Sequence, residues 1–247
     1  MKAVILAAGQ GTRIRSVHGE RPKCLIRVDG RTILERQMES LRGAGIRDIG
    51  IVVGYQKNQI IRHVRNGCYD NLHLVSFIEN QAFATTNNIY SLWLARDWVG
   101  GDSFVCLNSD VVYDPNILEA AVSAKEPISM IVDPEWRDET MKVIISGGRV
   151  IQMSKRISKE KFSGTYIGIT VFSAQGTLQV FDKLAKLVGS GRVNEFFNIA
   201  VQQLADERVP VGVTSTEGLP WAEIDDPMDL TFAKQSVFPK LAAESAI

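Results

Sequence analysis

The sequence predicts a single-domain α/β fold in which helices cover a mixed, mainly parallel central sheet. Short apolar runs alternate with helical periodicity through the first half, a glycine-rich turn directly follows the first run, and hairpin signals open the second half. With 247 residues and 45% hydrophobic content, the chain can bury one sizeable core.

Lys2 to Ala7 reads as a buried strand, and Thr32 to Ala44 as a helix with Ile33, Leu34, Met38 and Leu41 on one face. Ile49 to Val53 is a second strand, Lys57 to Val64 a helix, and Leu72 to Phe77 a third strand. The alternation continues with a helix over Asn88 to Asp97, a strand over Phe104 to Leu107, a helix from Pro115 and a strand over Ile128 to Val132. Lys142 to Ile145 and Arg149 to Met153 flank Gly147-Gly148, a hairpin signal, and Thr165 to Phe172 is another strand. Helices over Ala174 to Val188 and Glu195 to Ala205 precede a strand over Val209 to Thr214. Pro227 opens a last helix with Asp226 as its N-cap, and the chain after Pro239 is expected to fray.

Lys plus Arg balances Asp plus Glu at 28 each, so no overall field favours nucleic acid or an anionic membrane. No stretch reaches membrane-spanning length, and the apolar run after Met1-Lys2 is too short for a signal peptide. Cys24, Cys68 and Cys106 lack metal-ligand spacing and predict reduced thiols in a cytoplasmic protein. His18, His63 and His73 show no ligand spacing either and read as surface or interface residues. A homodimer is left open.

The most informative segment is Leu6-Ala7-Ala8-Gly9-Gln10-Gly11-Thr12-Arg13, followed by Pro22-Lys23-Cys24-Leu25. A strand that delivers a turn with Gly9 and Gly11 lets backbone N–H groups approach a polyphosphate, because these residues lack Cβ and tolerate φ > 0. Arg13 and Lys23 add cations for the outer phosphates and for the bond that breaks. The dinucleotide fingerprint fails, since Ile14 stands where its third glycine belongs, and the Walker sequence is absent. In an open α/β sheet, ligands sit beyond the carboxyl ends of strands, where Asp110 and Asp225 also fall. Two carboxylates beside a triphosphate suit Mg²⁺, a hard cation that prefers oxygen ligands.

Leu6 to Arg13 with Pro22-Lys23-x-Leu25 resembles the signature of the nucleotidyltransferases that activate sugar phosphates and small phosphorylated alcohols. Thr85 to Leu92 is similar to a segment of the choline-phosphate, aminoethylphosphonate and phosphoglutamine cytidylyltransferases. So, more loosely, are Ile131-Val132-Asp133 with Trp136, Tyr166-Ile167-Gly168, and Trp221 to Asp225. The resemblance implies a Rossmann-like three-layer α/β/α fold, the nucleotide-diphospho-sugar transferase fold. It places a nucleotidyltransferase domain at 1–240, with a nucleotide-binding half at 1–135, an acceptor-binding half at 136–240, and a tail at 241–247.

It further implies Asp110 and Asp225 as metal ligands, with Lys23 and Arg13 catalytic. Nucleotide contacts are expected from Leu6 to Arg13, Lys23, Asn80, Gln81, Thr86, Asn87, Ser109 and Asp110. Acceptor contacts are expected from Asn88, Asp133, Trp136, Lys142, Tyr166, Trp221 and Glu223. Lys142 is the choice for the acceptor phosphate, with Lys155 and Arg156 as alternatives. Asn87 and Asn88 serve equally well as ligand contacts or helix caps. Trp136, Tyr166 and Trp221 either enclose a cationic head group, with Asp133 or Glu223 as counter-charge, or pack the core.

The implied activity is Mg²⁺-dependent transfer of a nucleoside monophosphate, CMP from CTP first, to a small phosphorylated or phosphonate acceptor with release of pyrophosphate. The absence of a second glycine-rich acceptor loop disfavours a sugar phosphate. The alternatives are a sugar-1-phosphate nucleotidyltransferase using UTP, dTTP or GTP, and a catalytically silent nucleotide-binding subunit.

Overall fold

The computed structural model describes residues 1–67 and 74–244. Cys68, His73 and the predicted strand start at Leu72 lie outside the described residues. Strands β1 (Lys2–Ala7), β4 (Ile49–Val53), β5 (Val75–Glu79) and β6 (Phe104–Asn108) form a wholly parallel group in the order β5-β4-β1-β6. Between β1 and β4 lie the short α1 (Arg15–His18), the small hairpin β2 (Arg27–Val28) and β3 (Arg31–Thr32), and α2 (Ile33–Gly43). Helices α3 (Lys57–Asn66), α4 (Asn88–Leu94) and α5 (Arg96–Val99) complete the first half.

The sheet continues through β11 (Gly164–Phe172), antiparallel to both β6 and β8 (Ile128–Asp133), and then through β12 (Val211–Ser215), parallel to β8. The hairpin of β9 (Lys142–Ser146) and β10 (Arg149–Ser154) closes the far edge, where β9 also pairs with β11. The sheet is therefore mixed, with β10 and β11 running against the other strands.

Alternation along β1 explains how both faces are filled. Ala3, Ile5 and Ala7 pack with Leu34 and Met38 of α2, Ile60 and Val64 of α3, and Ile117 and Leu118 of α6 (Pro115–Val122). Val4 and Leu6 pack on the opposite face with α4, α7 (Ala174–Gly189) and α8 (Asn198–Asp206). A third, smaller core joins Ile14, Ile26 and Ile224 to Phe238 and Leu241.

Several expectations need correction. The helix expected over Asn88 to Asp97 is two helices, because the N–H of Ala95 bonds the Leu92 carbonyl and tightens the turn between them. Helix α8 starts at Asn198 rather than Glu195, since the Glu195 carbonyl accepts from the Ile89 N–H. After α9 (Pro227–Phe232), which Asp226 caps as expected, a π-helical turn over Ala233–Val237 leads into α10 (Phe238–Glu244). Buried Leu241 holds that last helix down, past the expected start of the tail.

The thiols of Cys24 and Cys106 are free and fully buried, and burial pushes the Cys24 thiol up to about 12, so neither acts as a nucleophile. His18 lies against the Pro22 carbonyl, and burial lowers its pKa. His63 pairs with Glu35 and Thr32. Among the described residues, no helix is long and apolar enough to cross a membrane.

Candidate active site

Beyond Ala7 the chain leaves the sheet, and its glycines divide the work. Gly11 takes φ +57°, and a Cβ there would lie 2.8 Å from Lys23 Cγ, so the lysine stem lies directly over a residue that must be glycine. Gly9 does not take a positive φ, contrary to expectation; a Cβ there would meet no heavy atom within 4 Å, so it opens room rather than bending the chain. Single 3₁₀ turns at Thr12–Ile14 and Lys23–Leu25 then fix Arg13 and Lys23.

The partner carboxylates are delivered by a two-stranded ribbon that the sequence did not reveal. Strands β7 (Val111–Tyr113) and β13 (Trp221–Glu223) pair antiparallel with Val111 opposite Glu223, and the Ile224 N–H donates to the Asp110 carbonyl at 2.9 Å. Asp229 accepts from the backbone N–H groups of Asp225 and Asp226, fixing the turn that follows. Asp225 is thus positioned by β13, not by β12.

Asp110, Glu223 and Asp225 each bring one carboxylate oxygen within 4.8 Å of the others. Lys23 donates to Asp110 Oδ2 at 3.3 Å and to Asp225, and Arg13 reaches Asp225 Oδ2 at 2.5 Å. Burial, opposed by Lys23 and reinforced by Asp225, holds the Asp110 carboxyl above its usual range. Burial and the two neighbouring acids push Glu223 up to about 8. Burial raises the Asp225 pKa, but Lys23 and Arg13 outweigh it and leave the net shift downward. Lys23 is itself opposed by burial, yet its two carboxylates hold it above the usual lysine value.

Asp110 Oδ1 is buried without a hydrogen-bond partner among the described residues. Three converging carboxylates, one with an orphaned oxygen, match the donor set of a divalent cation.

One cavity unites much of the expected site: Leu6, Ala7, Ala8, Gly9, Gly11, Arg13, Lys23, Asn80, Thr86, Asn87, Asn88, Ser109, Asp110, Tyr166, Glu223 and Asp225. Gln10, Thr12 and the exposed Gln81 are not in its wall. Asn80 is buried and spends its amide on Thr86, Ser91 and the Ala82 N–H, so it shapes the turn. Asn87 caps α4, and Asn88 Oδ1 accepts from the Phe197 N–H at 2.8 Å, tying α4 to the start of α8.

The aromatic enclosure is not assembled. Trp221 is 1% exposed; its indole N–H donates to Asp133 at 2.7 Å and the Arg137 guanidinium covers its ring at 3.8 Å. Asp133 is buried and also accepts from Thr216 and from the Glu135 N–H. Trp136 stands outside the cavity with the ammonium groups of Lys142 and Lys159 at its ring. Tyr166 reaches the cavity wall, but its hydroxyl is buried against Thr170.

Lys142 also misses the cavity: it is buried, contacts the Thr140 carbonyl, and burial lowers its pKa. Of the three expected cations, Lys155 alone lines the wall. Residues that sequence reasoning missed include Phe83, Asn108, Thr140, Met141, Phe196 and Asn198. The sequence carries no signal for Asn198, which sits inside a stretch read as ordinary amphipathic helix.

The chain resembles the CTP:phosphoglutamine cytidylyltransferase of Campylobacter jejuni, with 26% identity covering 93% of this chain and 98% of that protein. It is 29% identical, over 93% of its length, to the CMP-5'-(3-aminopropyl)phosphonate synthase of Streptomyces rubellomurinus, of which it spans 37%. The solved inositol-1-phosphate CTP transferase from T. maritima superposes with a TM-score of 0.81 at 25% identity, covering 98% of this chain and 94% of that one. The family model for the MobA-like NTP transferase domain matches residues 3–206. That match spans the glycine loop, Lys23 and Asp110, and by it the chain belongs to the MobA-like NTP transferase domain family and is a nucleotidyltransferase.

Proposed function

We propose that this protein is a Mg²⁺-dependent cytidylyltransferase that moves CMP from CTP to a small phosphorylated or phosphonate acceptor. The observation that carries the reading is Lys23, held over Gly11 and shared between Asp110 and Asp225 on the wall of the cavity. The choice of CTP rests on the three relatives above, each named for CTP or CMP chemistry.

An oxygen of the acceptor phosphate forms a bond to the α-phosphorus, the bond from that phosphorus to the β-phosphate oxygen breaks, and pyrophosphate leaves. The nucleophile is already an anion, so no general base is needed and catalysis consists of orienting and neutralising anions. Gly9 and Gly11 admit the triphosphate close to backbone N–H groups. Lys23 and Arg13, which neutralise Asp110 and Asp225 in the free protein, exchange those carboxylates for phosphate oxygens. Lys23 serves the α-phosphate and Arg13 the departing pyrophosphate. Asp110 and Asp225, with Glu223 beside them, would hold the Mg²⁺, which would supply neutralisation of the phosphate charge. Lys155 replaces Lys142 as the cation for the acceptor phosphate.

The test is pyrophosphate release measured with CTP, UTP, dTTP and GTP, each against a panel of phosphorylated acceptors with Mg²⁺. CTP with a non-sugar acceptor is expected to give the fastest release. Fastest release from UTP, dTTP or GTP with a sugar 1-phosphate overturns the reading.

A further inference from the structure

The cavity wall contains a polar side chain with no partner, and its surroundings indicate what it reads. Asn198, the first residue of α8, is 6% exposed, lines the cavity, and has an Nδ2 with no hydrogen-bond partner among the described residues. Three contacts fix the start and the first turn of its helix. The Phe197 N–H is tied to Asn88 Oδ1, and one turn later Gln202 accepts from the Met153 N–H at 2.7 Å and donates to the Ile151 carbonyl. That docking sets α8 against β10, so Asn198, one turn before Gln202, and Lys155, two residues after Met153, come to the same wall. Lys155 Nζ stands 5.4 Å from the centre of the Phe196 ring, two residues before Asn198.

Of the features expected to attract a cationic head group, Glu223 stands in the carboxylate cluster with Asp110 and Asp225, and Trp221, Trp136 and Asp133 are already occupied. Arg137 covers Trp221, Lys142 and Lys159 are at Trp136, and Asp133 is spent on three donors. An unpaired amide N–H₂ instead demands an oxygen, because leaving a buried donor unmade costs more than a made bond returns.

We propose that Asn198 determines acceptor specificity: beside a phosphate held by Lys155, it donates to a hydroxyl, carbonyl or carboxylate oxygen on the acceptor body and disfavours acceptors carrying an ammonium group. This rests on the cytidylyltransferase reading.

The experiment compares kcat/KM for CTP-dependent pyrophosphate release with inositol 1-phosphate and glycerol 1-phosphate against phosphocholine and 2-aminoethylphosphonate. Wild-type protein favours the hydroxyl-bearing pair, and Asn198→Asp, isosteric but anionic, shifts the ratio toward the ammonium pair by about tenfold or more. Asn198→Ser, which keeps an uncharged donor, retains the wild-type order, and the KM for CTP stays unchanged in both variants. Faster transfer to phosphocholine or 2-aminoethylphosphonate by wild-type protein overturns the proposal, as does an unchanged ratio in Asn198→Asp with normal CTP binding. No pyrophosphate from any pair overturns the cytidylyltransferase reading and this inference with it, whereas transfer with an unmoved ranking overturns the inference alone.

Discussion

Lys23 lies across Gly11 so closely that a single added methyl at position 11 would fall 2.8 Å from the lysine Cγ. The glycine loop therefore shapes the path of the lysine. Gly11→Ala is expected to lower kcat by at least about tenfold, by displacing the ammonium group. The left-handed backbone adds a stability cost of roughly 1 to 2 kcal/mol. Steady-state kinetics beside a thermal melt would check this, and an unchanged kcat would remove Gly11 from its supporting role.

Lys23→Ala should slow turnover by on the order of 10²-fold or more, since it removes charge stabilisation that grows in the transition state. It also leaves Asp110, Asp225 and Glu223 facing one another without their central cation. The variant should therefore melt below wild type without divalent cation and regain part of the loss when Mg²⁺ is added. Arg13→Ala, whose side chain is more exposed and meets Asp225 alone of the three acids, should raise the KM for the triphosphate as well as slowing the reaction.

Asp110→Asn and Asp225→Asn should each abolish Mg²⁺-dependent activity, because an amide keeps an oxygen but loses the negative charge. The double variant should be no worse than either single one, as two ligands of one ion fail together. Retained Mg²⁺ dependence in Asp225→Asn would shift the role to Glu223, which stands in the same cluster.

Trp221→Leu tests the correction to the aromatic enclosure. The substitution empties part of a fully buried site, leaves Asp133 short of one donor, and removes the ring under Arg137. The expected loss is about 3 kcal/mol of stability in urea unfolding. The ranking of acceptors should not move. A change in acceptor preference at unchanged stability would return Trp221 to the binding site.

The alternating first half was legible in the sequence because buried parallel strands such as Ile49–Val53 are continuous apolar runs, and the helices between them keep one apolar face. That Arg13, Lys23 and Asp110 meet in one cavity was legible because each stands beside a strand end or a glycine turn. The β7/β13 ribbon was not: three residues on each side show no periodicity, and their pairing depends on contacts across 110 positions of chain. Trp221 was misread for a related reason. Its hydrogen bond to Asp133 and its cover by Arg137 are tertiary facts that an aromatic residue beside an acidic one does not announce. The end of the chain was misread because Phe238 and Leu241 find their partners at Ile14 and Ile224, next to Arg13 and Asp225.

The central claim is cytidylyl transfer at the Lys23, Asp110 and Asp225 cluster, and phosphorus NMR of the completed reaction tests it most directly. With CTP, Mg²⁺ and a phosphorylated or phosphonate acceptor, wild-type protein should form a CMP-linked product and pyrophosphate in equal amounts, and Lys23→Ala should form neither at a comparable rate. Inorganic phosphate in place of pyrophosphate, or product formation that survives Lys23→Ala unchanged, would contradict the account.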